Sequence, residues 1–215
     1  RRKESEFQMI EQGSDEWFAS RLGKVTASKV ADIVAKTKTG YSTSRANYMA
    51  QLVVERLTGV KADSFTNAAM EWGTQTEPLA RAAYELKTGV MVDEVPLIDH
   101  PVIPMSGASP DGLVGEDGLI EIKCPNTATH IDTLLSQQAP AKYVTQMQWQ
   151  MACTGRKWCD FVSFDPRMPK ELQLFIKRID RDDAYIDMLE KEVVSFLKEL
   201  DAKIEKLEKL KEANV

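Results

Sequence analysis

Apolar residues change their spacing near residue 90, and this change limits the chain to folds that combine helices with a sheet. Before this point they recur at steps of three and four, which predicts amphipathic helices. After it, short runs rich in Val, Ile and Leu are separated by turn residues, which predicts strands. Helical spacing returns over 181–212. The pattern therefore predicts an α/β protein with a helical N-terminal part and a long C-terminal helix.

Capping residues mark the ends of the predicted helices. Ser14 is a good N-cap, and glycines stand just after three of the later helical patterns. The predicted helices cover 14–23, 26–34, 44–58, 67–88, 130–137, 141–153 and 181–212, with a loop over 36–40. Pro78 removes a hydrogen-bond donor inside the fourth helix and disfavours helical geometry at Glu77. It therefore predicts a break or kink at this point.

Turn residues mark the predicted strands in the same way. These strands cover 90–95, 105–108, 112–114, 119–123, 157–164 and 172–179. Asp117-Gly118 lies between the third and the fourth, and this dipeptide is a strong hairpin signal. The third and fourth strands are therefore predicted to be antiparallel neighbours.

The length of the chain limits its domain organisation. A chain of 215 residues without internal repeats fits one domain over 1–215, with the helix over 181–212 as an appendage. That helix is predicted to lie on the body, or also to touch a neighbouring subunit.

The 33 acidic and 28 basic residues give a net charge of −5, which argues against a protein that coats nucleic acid. A nuclease is still possible, because its basic residues can be confined to one groove.

The apolar runs, the cysteines and the histidines exclude several other classes of protein. No run approaches the roughly 18 consecutive apolar residues of a membrane span, and the start of the sequence lacks the apolar run of a signal peptide. We therefore expect a cytoplasmic protein with no membrane partner. Cys124, Cys153 and Cys159 form no CxxC pair and are predicted to be buried free thiols. His100 and His130 lack zinc-ligand spacing and are predicted to be ordinary surface or loop residues.

The most informative segment joins an acidic turn to a strand that carries a carboxylate and an amine. Asp111 follows Ser109-Pro110 and is followed ten positions later by Glu121-Ile122-Lys123. In a strand, Glu121 and Lys123 project to one side while Ile122 enters the core. The predicted hairpin can bring Asp111 close to both groups. Two adjacent carboxylates repel one another unless a divalent cation lies between them, and such oxygen ligands suit Mg²⁺ or Mn²⁺.

Pro-Asp followed by Glu-x-Lys is the PD-(D/E)xK pattern of restriction-endonuclease-like nucleases. The lysine can orient or deprotonate a water, or stabilise negative charge on a phosphate. The pattern is short, however, and each half has a structural alternative. Glu-x-Lys on a strand is commonly a cross-strand salt bridge, and Pro-Asp-Gly is a frequent turn.

Side chains on two predicted helices add candidates for the same site. Glu77 is either a further metal ligand or a surface carboxylate. Gln146 and Gln150 share one helix face while Gln148 points elsewhere, so only part of this run can serve one site. Alternatively, the glutamines form a polar surface beside a stripe of Met and Trp side chains that packs in the core.

A candidate phosphate pocket lies near the start of the second predicted helix. Arg21 precedes Thr26-Ala27-Ser28, where free helix amides and a serine hydroxyl lie beside a guanidinium. The alternative is a helix cap with an unrelated surface arginine.

The order of these motifs resembles the phage lambda exonuclease and YqaJ-type viral recombinase nuclease family. The resemblance runs from about residue 10 to about residue 190. It is carried by Asp15-Glu16-Trp17, Arg21-Leu22-Gly23, Thr26-Ala27-Ser28, Trp72-Gly73, Glu77, Ser109-Pro110-Asp111-Gly112-Leu113, Glu121-Ile122-Lys123-Cys124-Pro125, Gln146-Met147-Gln148 and Asp165-Pro166-Arg167-Met168. It implies a restriction-endonuclease-like core, in which helices flank a mixed central β-sheet.

The resemblance also implies an activity. The family consists of magnesium-dependent exonucleases that degrade one strand of linear duplex DNA from its 5′ end. They release mononucleotides and leave a 3′ overhang for recombination. A homotrimeric ring, two Mg²⁺ ions that Mn²⁺ can replace, and cooperation with a single-strand annealing protein are implied as well.

Family position then assigns roles to individual residues. The implied catalytic residues are Asp111, Glu121 and Lys123; the metal ligands Asp111, Glu121, the carbonyl of Ile122 and Glu77; the 5′-phosphate ligands Arg21, Ser28, Ser109 and Lys38; and the substrate-binding residues Gln146, Met70 and Trp17. Lys38 stands where an arginine would clamp a phosphate with two hydrogen bonds, which a lysine cannot do. Met70 is expected either to wedge apart the terminal base pair or to pack in the core.

Two other functions fit parts of the sequence. A structure-specific or repair endonuclease would keep the fold, although three scattered cysteines cannot hold an iron–sulfur cluster through four thiolates. A non-catalytic DNA-end-binding protein would keep the shape but does not need Asp111, Glu121 and Lys123 together.

Overall fold

The computed structural model describes residues 10–62 and 67–215. Residues 1–9, on which the expectation of no signal peptide partly rests, lie outside the described residues. Over the described part the chain forms seven α-helices: α1 (Asp15–Arg21), α2 (Ala27–Val34), α3 (Thr43–Thr58), α4 (Ala68–Thr88), α5 (Thr127–Ser136), α6 (Ala141–Thr154) and α7 (Asp183–Ala213). The same residues form ten strands: β1 (Val25–Thr26), β2 (Lys36–Thr37), β3 (Gly40–Tyr41), β4 (Val92–Asp93), β5 (Ile98–Asp99), β6 (Ser106–Ala108), β7 (Gly112–Val114), β8 (Gly118–Lys123), β9 (Trp158–Phe164) and β10 (Leu174–Asp180).

The central sheet is mixed, as the resemblance implies. Its five strands lie in the order β10-β9-β8-β7-β4. Only β8 and β9 are parallel to one another within it, and α5 and α6 connect them. The hairpin of β7 and β8 turns at Gly115-Glu116-Asp117, which confirms the Asp117-Gly118 prediction. A smaller sheet, in the order β1-β6-β5, lies beside the start of α2.

Helices cover both faces of the central sheet and create two apolar clusters. Strand β8 contributes Leu119 to the larger cluster, which also contains side chains of α2, α3, α6 and α7. It contributes Ile120 and Ile122 to the smaller cluster, formed with Ala80 and Tyr84 of α4. Glu121 therefore lies on the side of the larger cluster, facing α6, as strand alternation requires.

The structure agrees with the predicted helices but corrects three local predictions. Every predicted helix is present, with ends displaced by at most three residues. The predicted break at Pro78 is wrong, because α4 continues through the proline, with Thr76 before it and Ala80 after it both buried. The alternative, a kink at this point, stays a prediction. The predicted loop over 36–40 is instead the hairpin of β2 and β3. Strands β1 and β5 were not predicted, because two residues are too few to show alternation.

Both histidines are buried. His100 lies in the loop after β5, which agrees with the prediction of a surface or loop residue, but this prediction is wrong for His130. His130 lies on α5 and bridges the hydroxyl of Ser163, at 2.7 Å, and the carbonyl of Leu172, at 2.8 Å. His100 stacks on Trp149 with ring centroids 5.2 Å apart. These partners are distant in sequence, which hides them from local patterns. The three cysteines are free; Cys153 and Cys159 are buried as predicted, and Cys124 is only partly so.

The C-terminal helix lies on the body for about half of its length. Its apolar stripe is buried from Ile186 to Leu200, in agreement with the predicted spacing. Leu207 and Leu210 beyond it are exposed. Contact of this helix with a neighbouring subunit stays a prediction. Within the described ranges, no helix is long and apolar enough to cross a membrane.

Candidate active site

The turn before β7 fixes Asp111 against β8. The backbone N–H of Asp111 donates to the carbonyl of Ile120 at 3.2 Å. The carboxylate accepts, through Oδ2, the backbone N–H of Ile122 at 2.7 Å. Gly112 follows, and a Cβ at this position would lie 2.1 Å from Cγ1 of Val92. Glycine therefore lets β4 approach the segment that carries Asp111.

Glu121 is only 3% exposed, and its buried carboxylate accepts hydrogen bonds from three donors. Gln146 donates to Oε1 at 3.0 Å, and the ammonium of Lys123 lies 2.9 Å from the same oxygen. Gln150 donates to Oε2 at 2.8 Å. Gln148 turns away and bonds the backbone at Asp180 and Asp182, which agrees with the predicted helix faces. The helix α6 thus contributes two amides to one carboxylate.

The fourth helix brings Glu77 to the same place. Glu77 forms an ion pair with Arg81 at 3.3 Å, and Arg81 also contacts Glu94 at 3.2 Å. Arg81 donates to the backbone carbonyl of Asp111 at 3.4 Å, which ties α4 to the turn. Glu77 is half-buried rather than fully exposed on the surface. We refer to Glu77, Asp111 and Glu121 as the acidic cluster.

Asp111 carries the effect of the neighbouring negative charges in the acidic cluster. Burial, then the negative charges of Glu121 and Glu77, raise the pKa of Asp111 well above its usual value. Burial alone would lower the pKa of Lys123, but Glu121 and Asp111 outweigh it and raise that pKa. Lys123 is therefore a stable cation in this site. The cluster nevertheless keeps an excess of negative charge.

The donor set suits a hard divalent cation. Carboxylate oxygens are the ligands that Mg²⁺ and Mn²⁺ prefer, and a cation would relieve the repulsion that raises the pKa of Asp111. Among the described residues, no three His, Cys, Asp or Glu side chains lie close enough to enclose a metal by themselves. Backbone carbonyl or water ligands would have to complete the shell, as is usual for Mg²⁺.

A second polar pocket lies next to the acidic cluster. Arg21 donates to the hydroxyl of Ser109 at 2.7 Å and to that of Thr26 at 3.3 Å. Its guanidinium stacks on the ring of Trp17 at 4.2 Å. Burial lowers the pKa of Arg21, so this cation is partly desolvated. It has no carboxylate ion-pair partner among residues 10–62 and 67–215, and a bound anion would stabilise it.

The remaining predicted phosphate ligands lie in more exposed positions. Ser28 is exposed in the first turn of α2, whose N-cap Thr26 makes no side-chain capping bond. The first-turn amides of α2 are therefore not used by its cap. Lys38 is exposed at the turn between β2 and β3 and makes no hydrogen bond or ion pair with a described residue.

Met70 is 50% exposed in the first turn of α4, so the alternative that it packs in the core is wrong. Nearby, the guanidinium of Arg167 stacks on the ring of Trp72 at 4.3 Å.

Three contacts at the site were not assigned from the sequence. Gln150 binds Glu121, Arg81 binds Glu77, and Thr26 binds Arg21. The signal for the first two was present, because Gln150 and Arg81 each lie four positions after a predicted site residue on the same helix. Thr26 gave no comparable signal beyond its place at a helix start.

Comparison with known proteins identifies relatives that share this arrangement of elements. The family model described as the YqaJ-like viral recombinase domain matches residues 16–157. An alkaline exonuclease, LHK-Exo, from Laribacter hongkongensis is 56% identical and superposes with a TM-score of 0.88; the match covers 94% of this chain and 100% of that one. A second structure of LHK-Exo, in complex with dAMP, gives the same values.

A more distant structure supports the fold alone. A phage-related exonuclease from Haemophilus somnus 129PT is 19% identical, with a TM-score of 0.71 and coverage of 86% of this chain and 96% of that one. No curated protein matches the sequence. The resemblance recognised in the motifs is confirmed, and the match over 16–157 together with the 56% identity shows that this chain belongs to the YqaJ-like viral recombinase family.

Proposed function

We propose that the chain is a magnesium-dependent exonuclease that acts on the ends of linear double-stranded DNA. It degrades one strand from 5′ to 3′, releases 5′-mononucleotides and leaves a 3′ single-stranded overhang for strand annealing. The observation that carries this proposal is the contact of Arg21 with Ser109, two residues before Asp111 of the acidic cluster. An anion pocket thus adjoins a cation site. The 56% identical LHK-Exo is named as an alkaline exonuclease, which agrees with the proposal.

The acidic cluster would hold two Mg²⁺ ions, with the carbonyl of Ile122 as a further ligand; Mn²⁺ would serve as a substitute. When bound, the ions activate a water and stabilise the leaving oxygen of the scissile phosphodiester. Lys123, held as a cation by Glu121, orients the attacking water and stabilises negative charge on the phosphate. Gln146 keeps the Glu121 carboxylate in place from α6.

The Arg21 pocket would act as a ruler for the terminal nucleotide. Arg21, Ser109 and Ser28 hold the 5′ phosphate, and Lys38 adds a weaker, single-point contact. Ser109 and Asp111 are two residues apart, so their Cα atoms are separated by at most about 7 Å. This is of the order of the separation between successive phosphates in one strand. A phosphate on Arg21 therefore places the next phosphodiester near the acidic cluster.

The substrate end and the assembly follow the family pattern in this proposal. Trp17 and the exposed Met70 contact the terminal nucleotides, and Met70 wedges apart the last base pair. Three copies of the chain form a ring around the DNA, and the exonuclease works with a single-strand annealing protein in the cytoplasm. Encirclement would allow processive digestion by a chain with a net charge of −5.

A time course on linear duplex DNA tests the proposal. The duplex is labelled at either the 5′ or the 3′ end and incubated with Mg²⁺ or with chelator. We expect 5′-labelled mononucleotides first, and only with Mg²⁺. Closed circular DNA serves as the control substrate. Digestion of the circle would favour an endonuclease, and no release from any substrate would favour a DNA-end-binding protein.

Replacement of Arg21 tests the ruler separately. Arg21→Ala removes the charged donor to the phosphate, so we expect the preference for 5′-phosphorylated over 5′-hydroxyl ends to fall by about 10- to 150-fold, from a charge-assisted bond of about 1.5–3 kcal/mol. Initial rates on the two substrates are compared for both proteins. An equal loss on both ends would contradict the assignment of the phosphate to this pocket.

A further inference from the structure

Gln150 lies behind the carboxylate of Glu121. It is 0% exposed in the middle of α6. Its Nε2 donates to Oε2 of Glu121 at 2.8 Å. A glutamine side chain loses considerable conformational freedom on burial, and its amide must then be hydrogen-bonded. The bond to Glu121 satisfies the Nε2 end of this amide.

The neighbouring strand fixes which end of the amide faces Glu121. The thiol of Cys159 on β9 lies 3.9 Å from Oε1 of Gln150, where it can donate a weak hydrogen bond. A flipped amide would place Oε1 against the carboxylate, and two acceptors would then face one another. The orientation with Nε2 toward Glu121 is therefore the favourable one.

The donors are distributed unequally over the two oxygens of Glu121. Oε1 receives both Gln146 and Lys123, whereas Oε2 receives Gln150. A carboxylate oxygen offers two lone-pair sites, so Oε1 is saturated and Oε2 keeps one site free. Among the described contacts, Gln150 is the group that fixes the direction of this free site.

We propose that Gln150 is a positioning residue that aims Oε2 of Glu121 at the divalent cation. This inference rests on the proposed metal-dependent function, and it extends that function to a residue that touches neither substrate nor metal. Groups that orient metal ligands in this way typically change metal affinity or activity by about 10- to 100-fold when they are removed.

Gln150→Met is the test, with Gln148→Met as the matched control. Methionine keeps the length and helix propensity of glutamine but donates no hydrogen bond. Gln148 is also buried on α6, but its amide bonds the backbone of Asp180 and Asp182, away from the acidic cluster. Both variants should lose thermal stability to a similar extent. Only Gln150→Met should change metal binding.

Mn²⁺ binding to the metal-free proteins is measured by calorimetry, without DNA. We expect Gln150→Met to raise the Kd for Mn²⁺ by about 10- to 100-fold and Gln148→Met to leave it unchanged. The Mg²⁺ concentration for half-maximal digestion should rise in parallel, and the rate at saturating Mg²⁺ should recover. A purely structural defect would lower the rate at every Mg²⁺ concentration. If Gln150→Met does not fold, Gln150→Asn withdraws the donor by one methylene and should show the same increase in Kd.

The outcomes separate this inference from the proposed function. If the parent protein binds Mn²⁺ and digests DNA while Gln150→Met binds Mn²⁺ equally well, only the role of Gln150 is overturned. An equal loss of affinity in Gln148→Met also overturns it, because packing would then be the cause. A parent protein that neither binds Mn²⁺ nor digests DNA with Mg²⁺ overturns the proposed function itself.

Discussion

Two sets of buried and half-buried acidic residues lie at the central sheet, and they differ in their positive partners. One set is the acidic cluster. The other set consists of Asp160 and Asp165, which we refer to as the arginine-paired carboxylates. Arg178 contacts both oxygens of Asp160, at 2.9 and 3.1 Å, and Arg167 contacts Asp165 at 2.8 Å. Hydroxyl groups donate to the same carboxylates: that of Tyr84 to Asp160 at 2.7 Å and that of Thr127 to Asp165 at 2.6 Å.

The two sets differ in charge balance. Each arginine-paired carboxylate has one guanidinium of its own. Among the described contacts, the three carboxylates of the acidic cluster share two cations, Lys123 and Arg81. Asp111 accepts a backbone N–H, but no cationic side chain within 10–62 and 67–215 contacts its carboxylate. A buried carboxylate with a partner stabilises the fold, whereas a local deficit of positive charge indicates a place for an external cation.

The largest expected effect comes from removing the unpaired charge. Asp111→Asn should lower the rate of Mg²⁺-dependent digestion by about a thousandfold, because a ligand of the cation is lost. The thermal midpoint in chelator should rise, since one of three repelling charges is gone. Digestion rates and melting curves of the same preparation check both statements. A variant that loses activity together with stability would indicate a structural role for Asp111 instead.

Local patterns in the sequence were sufficient for the elements but not for these pairings. Alternation in β8 correctly predicts that Glu121 and Lys123 share a side, and the Asp117-Gly118 signal correctly predicts the hairpin that brings Asp111 beside them. Both depend on residues within a dozen positions. Helix caps and the apolar stripe of the last helix are local in the same sense.

Contacts between distant segments could not be predicted from local patterns. The parallel pairing of β8 with β9 joins strands separated by two helices, and it places Cys159 behind Gln150. His130 was misjudged because Ser163 is 33 residues away. Pro78 was misjudged because burial of α4 against the sheet offsets a local preference. Nor did the sequence reveal that Arg178 neutralises Asp160 while Asp111 has no such partner in the part of the chain that the structure describes.

Asp160→Asn should have a smaller effect, which lowers the stability of the protein and leaves its activity unchanged. It leaves the buried hydroxyl of Tyr84 and part of the Arg178 guanidinium without a charged acceptor, at a cost of about 1–3 kcal/mol in the free energy of unfolding. For a chain of this length, each kcal/mol lowers Tm by about 2–4 °C. The digestion rate per folded molecule should be unchanged. A large loss of activity at full stability would contradict the distinction between the two sets.

The subtlest expected effect is a difference in pH dependence of the free energy of unfolding, and its sign is opposite in the two sets. Burial, Glu121 and Glu77 raise the pKa of Asp111, so its contribution to stability is complete below the unfolded value of about 3.9 and is lost as pH rises through the folded value. Burial would raise the pKa of Asp165, but the bonds from Arg167 and Thr127 outweigh it and lower that pKa. Its contribution is therefore present above about pH 3.9 and is lost as pH falls through the folded value.

Two variants in chelator make this difference measurable. Relative to the parent, Asp111→Asn should gain free energy of unfolding as pH rises from 4 to 8, with a slope of at most about 1.4 kcal/mol per pH unit. Asp165→Asn should instead lose the most at neutral pH and approach the parent in acid. Urea unfolding at several pH values gives both curves, and the chelator keeps metal binding from contributing to either. If the two differences ran parallel with pH, a deficit of positive charge would not distinguish the acidic cluster from the arginine-paired carboxylates.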